Sequence, residues 1–255
     1  MQIGLIGCGN MARALARGWG RPVLCSDPIA QRARSLAAEV GGEALADNAQ
    51  VAERADLVVL CHKPAQLAEV AAEIAQPARA VASILAATPL AALREAYPGK
   101  PVYRFIPSLP VEVRQGAIVQ AAGGGEDSRD AQLDAEVGEL FAELGTLVVV
   151  EDALVDVAMG LMSCGPAYVA LVAEAQIDAG VRRGIPAAQG AELVVQTLAS
   201  TAELLRRRGN DTAAVRREVA SPGGVTARGL DALERGGVRA AFSEALDAVL
   251  GDERR

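Results

Sequence analysis

The chain has 255 residues, of which 51% are hydrophobic, and its formal net charge is −7. This length permits one large domain or two smaller ones, each with a sizeable core. An acidic protein is repelled by nucleic acid and by anionic lipid, so we expect neither as a partner. The N-terminus has no basic leader segment, and no uninterrupted apolar stretch is long enough to span a membrane. We therefore expect a cytoplasmic protein with no contact to a membrane.

Cysteine and histidine are too sparse for a metal site. The four cysteines, Cys8, Cys25, Cys61 and Cys164, lie far apart, and His62 is the only histidine. Metal sites usually place such ligands at short, regular spacings, so we predict that no metal is bound. We interpret the first three cysteines as small buried thiols at strand ends, and His62 as a neighbour of a ligand-binding loop rather than a catalytic base.

The first twenty residues predict a strand, a tight glycine turn and a helix. The apolar run Ile3–Ile6 leads into Gly7-Cys8-Gly9-Asn10-Met11-Ala12, and helical spacing of apolar residues continues to Trp19. In Rossmann folds, the first glycine permits the turn, the second lets the backbone approach a pyrophosphate, and the third small residue allows the helix to pack against its strand. The free N–H groups and positive dipole of the helix N-terminus suit a phosphate. We predict a dinucleotide site here.

Asp27 ends the second predicted strand, about twenty positions after the glycine turn. Rossmann folds place an acidic residue at this point to hydrogen-bond the adenosine ribose, which favours NADH over NADPH. The alternative is that the Asp27 carboxylate caps the following helix, ahead of Pro28. The sequence leaves both roles open.

Strands and helices alternate as far as Val150. Continuous apolar strands between helices indicate a parallel sheet that is covered on both faces. The predicted strands are Ile3–Ile6, Pro22–Asp27, Asp56–Cys61, Ala80–Leu85, Pro101–Ile106, Gly116–Ala121 and Thr146–Val150. The predicted helices between them include Gln31–Val40, Asn48–Arg54, Ala65–Ala75, Pro89–Ala96 and Asp130–Leu144.

The pattern changes after residue 150, where every segment has helical spacing. We therefore predict two domains, residues 1–150 and residues 151–255, the second entirely helical. Stretches such as Ala167-Tyr168-Val169-Ala170-Leu171-Val172 are apolar on more than one helix face, so they need additional packing partners. A homodimer would supply these partners, and helix packing within one chain is the alternative.

The segment Ser221-Pro222-Gly223-Gly224-Val225-Thr226 stands between two helices of the second domain. Its Pro-Gly-Gly turn would expose consecutive N–H groups at a helix start, which suits a carboxylate. Thr226 would project its hydroxyl from the first helical turn. The alternative is an ordinary turn in which Ser221 or Thr226 caps the helix.

Four motifs in order identify a family. The glycine turn, Lys63-Pro64, Gly165-Pro166-Ala167-Tyr168 and the segment Ser221–Thr226 together resemble pyrroline-5-carboxylate reductases, from Ile3 to about Leu250. The resemblance implies a Rossmann dinucleotide-binding domain followed by an all-helical dimerisation domain. It also implies reduction of 1-pyrroline-5-carboxylate, a cyclic imino acid, to L-proline by NADPH or NADH, the last step of proline biosynthesis. A homodimer is implied, and a decamer formed by a ring of five dimers is allowed.

The resemblance assigns roles to particular residues. Gly9, Asn10 and Met11 would hold the pyrophosphate, next to the turn made by Gly7, and Asn48 would hold the adenosine ribose. Cys61, Lys63 and Pro64 would lie on the nicotinamide side. Substrate would be held by Gly223, Gly224, Val225 and Thr226, with Thr226 as the catalytic residue that orients the protonated imine and relays a solvent proton.

Several positions depart from the family pattern. Ser108 and Leu109 replace asparagine and threonine, Ser83–Thr88 replaces Ser-Ile-Ala-Ala-Gly, and Ser163-Cys164-Gly165 replaces Gly-Ser-Gly. Loss of an amide and a hydroxyl near the nicotinamide would remove hydrogen-bond partners there. Two alternatives therefore remain: a reductase of another cyclic imino acid, and a catalytically silent paralogue that binds a dinucleotide.

Overall fold

A computed structural model of the protein describes residues 1–125 and 131–251. The predicted helix that begins at Asp130 starts at Ala131 in the described residues, since residue 130 lies outside them. The strands are β1 Ile3–Ile6, β2 Leu24–Ser26, β3 Glu43–Ala44, β4 Leu57–Leu60, β5 Val81–Ser83, β6 Val102–Pro107, β7 Gly116–Ala121 and β8 Gly145–Val150. The helices are α1 Asn10–Trp19, α2 Ala30–Val40, α3 Asn48–Arg54, α4 Leu67–Ile74, α5 Leu90–Ala96, α6 Ala131–Ala142, α7 Val155–Met162, α8 Gly165–Val181, α9 Ala187–Arg207, α10 Thr212–Val219, α11 Val225–Arg235 and α12 Val238–Leu250.

All eight strands form one sheet with the order β3-β2-β1-β4-β5-β6-β7-β8. The order reverses between β1 and β4, which is the doubly wound arrangement of Rossmann folds. In such sheets ligands bind outside the carboxyl ends of the strands, at this point of reversal. The predicted N-terminal Rossmann fold is confirmed, and its expected ligand site lies after β1 and β4.

The prediction of a wholly parallel sheet is wrong at one step, because β6 and β7 are antiparallel. A parallel pair needs a crossover connection of a dozen or more residues, usually with an α-helix. The connection from β6 to β7 is shorter and contains only a 3₁₀ helix, Leu109–Val113. The chain therefore turns back on itself here, and β8 then pairs with β7 in parallel.

The sheet core is built on both faces of β1, all of whose residues are buried. Leu5 faces the cluster that includes Trp19 and Phe141, and Ile6 faces the cluster under α3 and α4. Trp19 donates its indole N–H to the Leu140 carbonyl at 2.9 Å and meets Phe141 edge-to-face. These contacts fix α1, and with it the glycine turn that precedes the helix.

Contact clustering divides the chain into two compact units, residues 1–166 and 167–255. In the described part of the second unit every element is a helix. Many of its large apolar side chains are exposed in the single chain, among them Leu171, Leu193 and Phe242. By length and composition, the helical segment Asp152–Val181 is also apolar enough to cross a membrane.

The two glycines Gly18 and Gly138 test how tightly α1 is packed. A Cβ at Gly18 would overlap the carbonyl oxygen of Val111 and lie 2.7 Å from the Leu144 side chain, whereas a Cβ at Gly138 in α6 would meet no atom within 4 Å. We expect Gly18→Ala to lower the free energy of unfolding by about 1–3 kcal/mol, because the overlap must be relieved. Gly138→Ala should raise it by about 1 kcal/mol, because alanine is the better helix former. Chemical denaturation of both variants measures the difference, and equal effects would contradict the packing argument.

Candidate functional site

Gly7 brings the carboxyl ends of β1 and β4 together. Its φ is +95°, a conformation that favours glycine, and a Cβ there would lie 2.9 Å from the carbonyl carbon of Cys61. The Gly7 N–H donates to the Ser26 carbonyl, and the Cys61 N–H donates to the Ile6 carbonyl. The glycine turn and the segment Cys61–Pro64 are therefore held side by side.

Gly9 is the N-cap residue of α1, and the structure suits it to an anion. No side chain caps this helix, and no acidic residue lies in its first turn. A Cβ at Gly9 would meet nothing within 4 Å, and the φ of −73° is open to any residue. The protein itself does not require glycine here, so the open space fits a group that approaches the backbone from outside. Asn10 and Met11 are the first two residues of the helix that faces this space.

Asp27 connects the glycine turn to the end of β2. One carboxylate oxygen accepts the Cys8 N–H at 2.8 Å, and the other accepts the Ile29 N–H at 2.8 Å. The N-cap residue of α2 is Ile29, so the alternative that Asp27 is the N-cap is wrong. The carboxylate instead closes a short turn over Pro28 and positions the glycine turn.

Asn48 lies at the start of α3, beside the end of β2. Its side-chain oxygen accepts the Ser26 hydroxyl at 2.6 Å, and its amide donates to the Glu73 carboxylate at 2.6 Å. The amide is thus fixed next to Ser26 and Asp27. The structure brings together Asp27 and Asn48, the two residues expected near the adenosine ribose.

A cavity of about 220 Å³ opens beside the glycine turn. Met11 and the segment Cys61–Pro64 form one side, and residues from the ends of β5 and β6 form another. Met159 on α7 and the following Ser163, whose hydroxyl donates to the Pro107 carbonyl at 3.2 Å, complete the lining. The residues predicted for the nicotinamide side, Cys61, Lys63 and Pro64, therefore share one cavity with Met11.

Two titratable side chains of this cavity, Cys61 and His62, are held in their neutral forms. Desolvation by burial raises the pKa of the Cys61 thiol, and burial lowers the pKa of His62. The His62 Nδ1–H donates to the Lys63 carbonyl at 2.9 Å, which leaves Nε2 as an acceptor without a partner in the described residues. At neutral pH both side chains therefore present uncharged walls to the cavity.

Ser108 and Leu109 do not line this cavity. The Ser108 side chain is buried, and its hydroxyl accepts the Ala117 N–H at 2.9 Å in the antiparallel step from β6 to β7. Leu109 is about half exposed. The cavity is instead lined by their neighbours Ile106 and Pro107. The expectation that both departures from the family pattern face the cavity is thus not met.

In the second unit, Gly223 has a φ of +68° and Gly224 is the N-cap residue of α11, without a side-chain cap. Val225 is highly exposed, and Thr226 follows it in the first turn. Within the described residues, the Ser221 and Thr226 hydroxyls have no hydrogen-bond partner, so neither caps the helix as the alternative requires. The N–H groups of this helix start and the Thr226 hydroxyl can serve a ligand.

Sequence reasoning missed Arg104 as a residue that shapes the site. It is 1% exposed in β6, and its guanidinium contacts Asp152 and Asp156. The two aspartates lie 48 and 52 positions further along the chain, so no local pattern connects them. The one sequence feature that could have indicated a special role for Arg104 is its position within an otherwise apolar strand.

The doubly wound sheet, the glycine turn and the adjoining cavity define a Rossmann-type oxidoreductase that uses a nicotinamide dinucleotide. Residues 2–87 match the family model described as NADP oxidoreductase, coenzyme F420-dependent, and residues 152–255 match that of pyrroline-5-carboxylate reductase dimerisation. The chain is 37% identical to the pyrroline-5-carboxylate reductase of Thermus thermophilus, over 98% of this chain and 96% of that protein. It is 32% identical to pyrroline-5-carboxylate reductase 3 of Rattus norvegicus, over 97% and 93%. The chain therefore belongs to the pyrroline-5-carboxylate reductase family.

Solved structures agree with the fold. A 1-pyrroline-5-carboxylate reductase from Streptococcus pyogenes superposes with a TM-score of 0.87 at 27% identity, covering 98% of this chain and 97% of that one. A Plasmodium falciparum pyrroline carboxylate reductase, solved with NADP bound, superposes with a TM-score of 0.87 at 24% identity, covering 98% and 95%.

The open space at Gly9 provides a test of the dinucleotide site. We expect Gly9→Ala to leave the melting temperature unchanged, because its Cβ meets no protein atom, yet to weaken binding of NADPH and NADH about tenfold or more. Titration of nicotinamide fluorescence gives both dissociation constants, and Gly138→Ala is the control that should bind normally. Unchanged affinity for both cofactors in Gly9→Ala would show that the pyrophosphate does not bind at Gly9.

Proposed function

We propose that the protein reduces 1-pyrroline-5-carboxylate to L-proline with NADPH or NADH, as the last step of proline biosynthesis. The observation that carries the proposal is the Thr226 hydroxyl, which has no partner in the described residues and stands at an uncapped helix start. Membership of the family, over nearly the full length of the chain, supports the same reaction.

The dinucleotide is held along the carboxyl ends of β1, β2 and β4. Gly7 makes the turn, and the backbone at Gly9, Asn10 and Met11 receives the pyrophosphate at the start of α1, where N–H groups and the helix dipole favour an anion. Asn48 and Asp27 receive the adenosine ribose. Cys61, Lys63 and Pro64 hold the nicotinamide in the cavity beside Met11.

The substrate is held by the second unit. Gly223, Gly224 and Val225 surround the substrate carboxylate at this helix start. The Gly224 N–H already donates to the Ser221 carbonyl at 3.0 Å, so the N–H groups of Gly223 and Val225 bind the carboxylate, and the helix start supplies the positive field. Thr226 hydrogen-bonds the ring nitrogen. A hydroxyl is too weak an acid to protonate the imine by itself, so Thr226 orients the iminium and relays a proton from solvent.

When bound, the reduced nicotinamide supplies a hydride to the imine carbon. The contribution of this chain is to hold the two reactants in position, an effect that can supply about 7–11 kcal/mol in favourable cases. Cys61 and His62 present neutral, desolvated surfaces to the nicotinamide.

The assembly is a homodimer through residues 151–255, with residues 1–150 as the dinucleotide-binding domain. The family model for residues 152–255 is named for dimerisation, and a second copy would cover the exposed apolar helices of this unit. This also gives the apolar segment Asp152–Val181 a partner other than lipid. A ring of five dimers, a cytoplasmic location and the absence of membrane and nucleic-acid partners belong to the same proposal.

The first test is oxidation of NADPH and NADH with 1-pyrroline-5-carboxylate, followed by the loss of nicotinamide absorbance. We expect Thr226→Ala to lower kcat by about 100-fold or more, because the group that orients the iminium and relays its proton is gone. Cofactor affinity should stay close to that of the wild type. Thr226→Ser should recover most of the activity, and Thr201→Ala, an exposed threonine of α9, should be unaffected. Full activity in Thr226→Ala would show that the segment Ser221–Thr226 has a structural role only.

The charge of the Asp27 carboxylate leads us to expect that the protein distinguishes NADH from NADPH. Its charge repels the 2′-phosphate of NADPH, so we expect a modest preference for NADH, which Asp27→Asn should relax by about tenfold. Asparagine keeps one side-chain oxygen to accept the Cys8 N–H, so the glycine turn should stay in place, although the second bond, from the Ile29 N–H, is lost. The ratio of kcat/KM for the two cofactors measures the effect. If this ratio is unchanged in Asp27→Asn, Asp27 does not select the cofactor and serves only through its hydrogen bonds to the backbone.

A further inference from the structure

Arg104 is a buried cation held by two carboxylates. Its Nη1 lies 2.8 Å from Asp152 Oδ1, and its Nη2 lies 2.8 Å from Asp156 Oδ1. A buried charge is tolerated only when it is paired and hydrogen-bonded, so neither contact can be given up cheaply. The ion cluster therefore fixes the start of α7 against β6.

Both carboxylates also bind the backbone that leads from β5 into the first residue of α5. Asp156 Oδ1 accepts the Ala87 N–H at 3.2 Å, and Asp152 Oδ2 accepts the Leu90 N–H at 3.0 Å. Each carboxylate thus bridges the Arg104 guanidinium and one N–H group of this connection. Arg104, in another strand, is therefore linked to this connection through the two carboxylates.

Ala87 adopts a backbone conformation that alanine rarely takes. Its φ is +51°, in the left-handed region where a Cβ crowds the backbone. Such a conformation persists only where the surroundings hold it. The hydrogen bond from Ala87 to Asp156 is a contact that can do so, and it reaches back to Arg104.

The three residues before Ala87 line the candidate nicotinamide cavity. Ile84, Leu85 and Ala86 face it together with Ile106 of β6 and Met159 of α7. These three walls are the elements that the Arg104 cluster ties together. The cluster itself does not line the cavity, so its influence is indirect.

We propose that Arg104 is a positioning residue for hydride transfer, which acts through Asp156 to hold Ala87 left-handed and so sets the cavity wall formed by Ile84–Ala86. The inference rests on the proposed function for the identity of the ligand. It assigns to the ion cluster a part in the reaction that is separate from stability alone.

The test is a cycle of Asp156→Ala, Ala87→Gly and the double variant. We expect Asp156→Ala to lower kcat/KM by about tenfold, because Ala87 then leaves the left-handed conformation. Weaker binding of the reduced dinucleotide should account for part of this loss. Glycine adopts that conformation freely, so the double variant should recover to within about threefold of the wild type. Ala87→Gly alone should be active and melt at a higher temperature than the wild type.

Hydrogen exchange in the cofactor-free protein gives a readout that does not need activity. The amide of Ala87 should exchange faster in Asp156→Ala than in the wild type. If no imine is reduced by any variant, the proposed function fails, while amide exchange and dinucleotide affinity still decide the positioning role.

A surface substitution covers the case in which Asp156→Ala does not fold. Ala87 is exposed, so Ala87→Val meets little steric resistance from neighbours but disfavours the left-handed conformation further. It should lower kcat/KM severalfold, whereas Ala91→Val, at an exposed position of α5, should not. Normal kinetics and affinity in both Asp156→Ala and Ala87→Val would overturn the proposal, and so would equal losses in Asp156→Ala and the double variant.

Discussion

The close approach of two backbones at Gly7 is the constraint on which the dinucleotide site depends. No side chain fits between Gly7 and the carbonyl of Cys61, so the end of β1 and the end of β4 must meet directly. This one contact places the start of α1 and the segment Cys61–Pro64 next to each other. In the proposed function, a pyrophosphate at the helix start and a nicotinamide in the cavity would lie along one continuous edge of the sheet.

Two carboxylates fix the backbone at this edge of the sheet, one at the glycine turn and one at the cavity wall. Asp27 accepts the N–H of Cys8 in the glycine turn, and Asp156 accepts the N–H of Ala87 across the cavity wall. In both cases a carboxylate takes up a backbone donor that no strand or helix satisfies. Charge-assisted bonds of this kind are stronger than neutral ones, so they suit irregular segments that must hold one conformation. The site is built from loops, yet the backbone donors of Cys8 and Ala87 have defined partners.

The parts of the fold that depend on local patterns were predictable from the sequence. The glycine turn, α1 and the strands near the N-terminus follow from spacing and composition, and Cys61, Lys63 and Pro64 do share a cavity with Met11. The antiparallel step from β6 to β7 was not predicted, because the apolar runs look alike whichever way a strand points. Arg104 was not predicted as a site-shaping residue either, because its partners are about fifty positions away and only tertiary structure brings them close.

The geometry of Ser108 changes the meaning of its departure from the family pattern. An amide at this position was expected to face the nicotinamide, but the Ser108 hydroxyl is committed to the Ala117 N–H and the side chain is buried. The hydroxyl accepts a backbone N–H inside the sheet, and its buried position outside the cavity lining keeps it from a ligand in the cavity. The cavity wall at this point is formed by Ile106 and Pro107, which are apolar and present no hydrogen-bonding side chain. Side-chain hydrogen bonds that discriminate between cyclic imines therefore have to come from groups other than Ser108, Ile106 and Pro107.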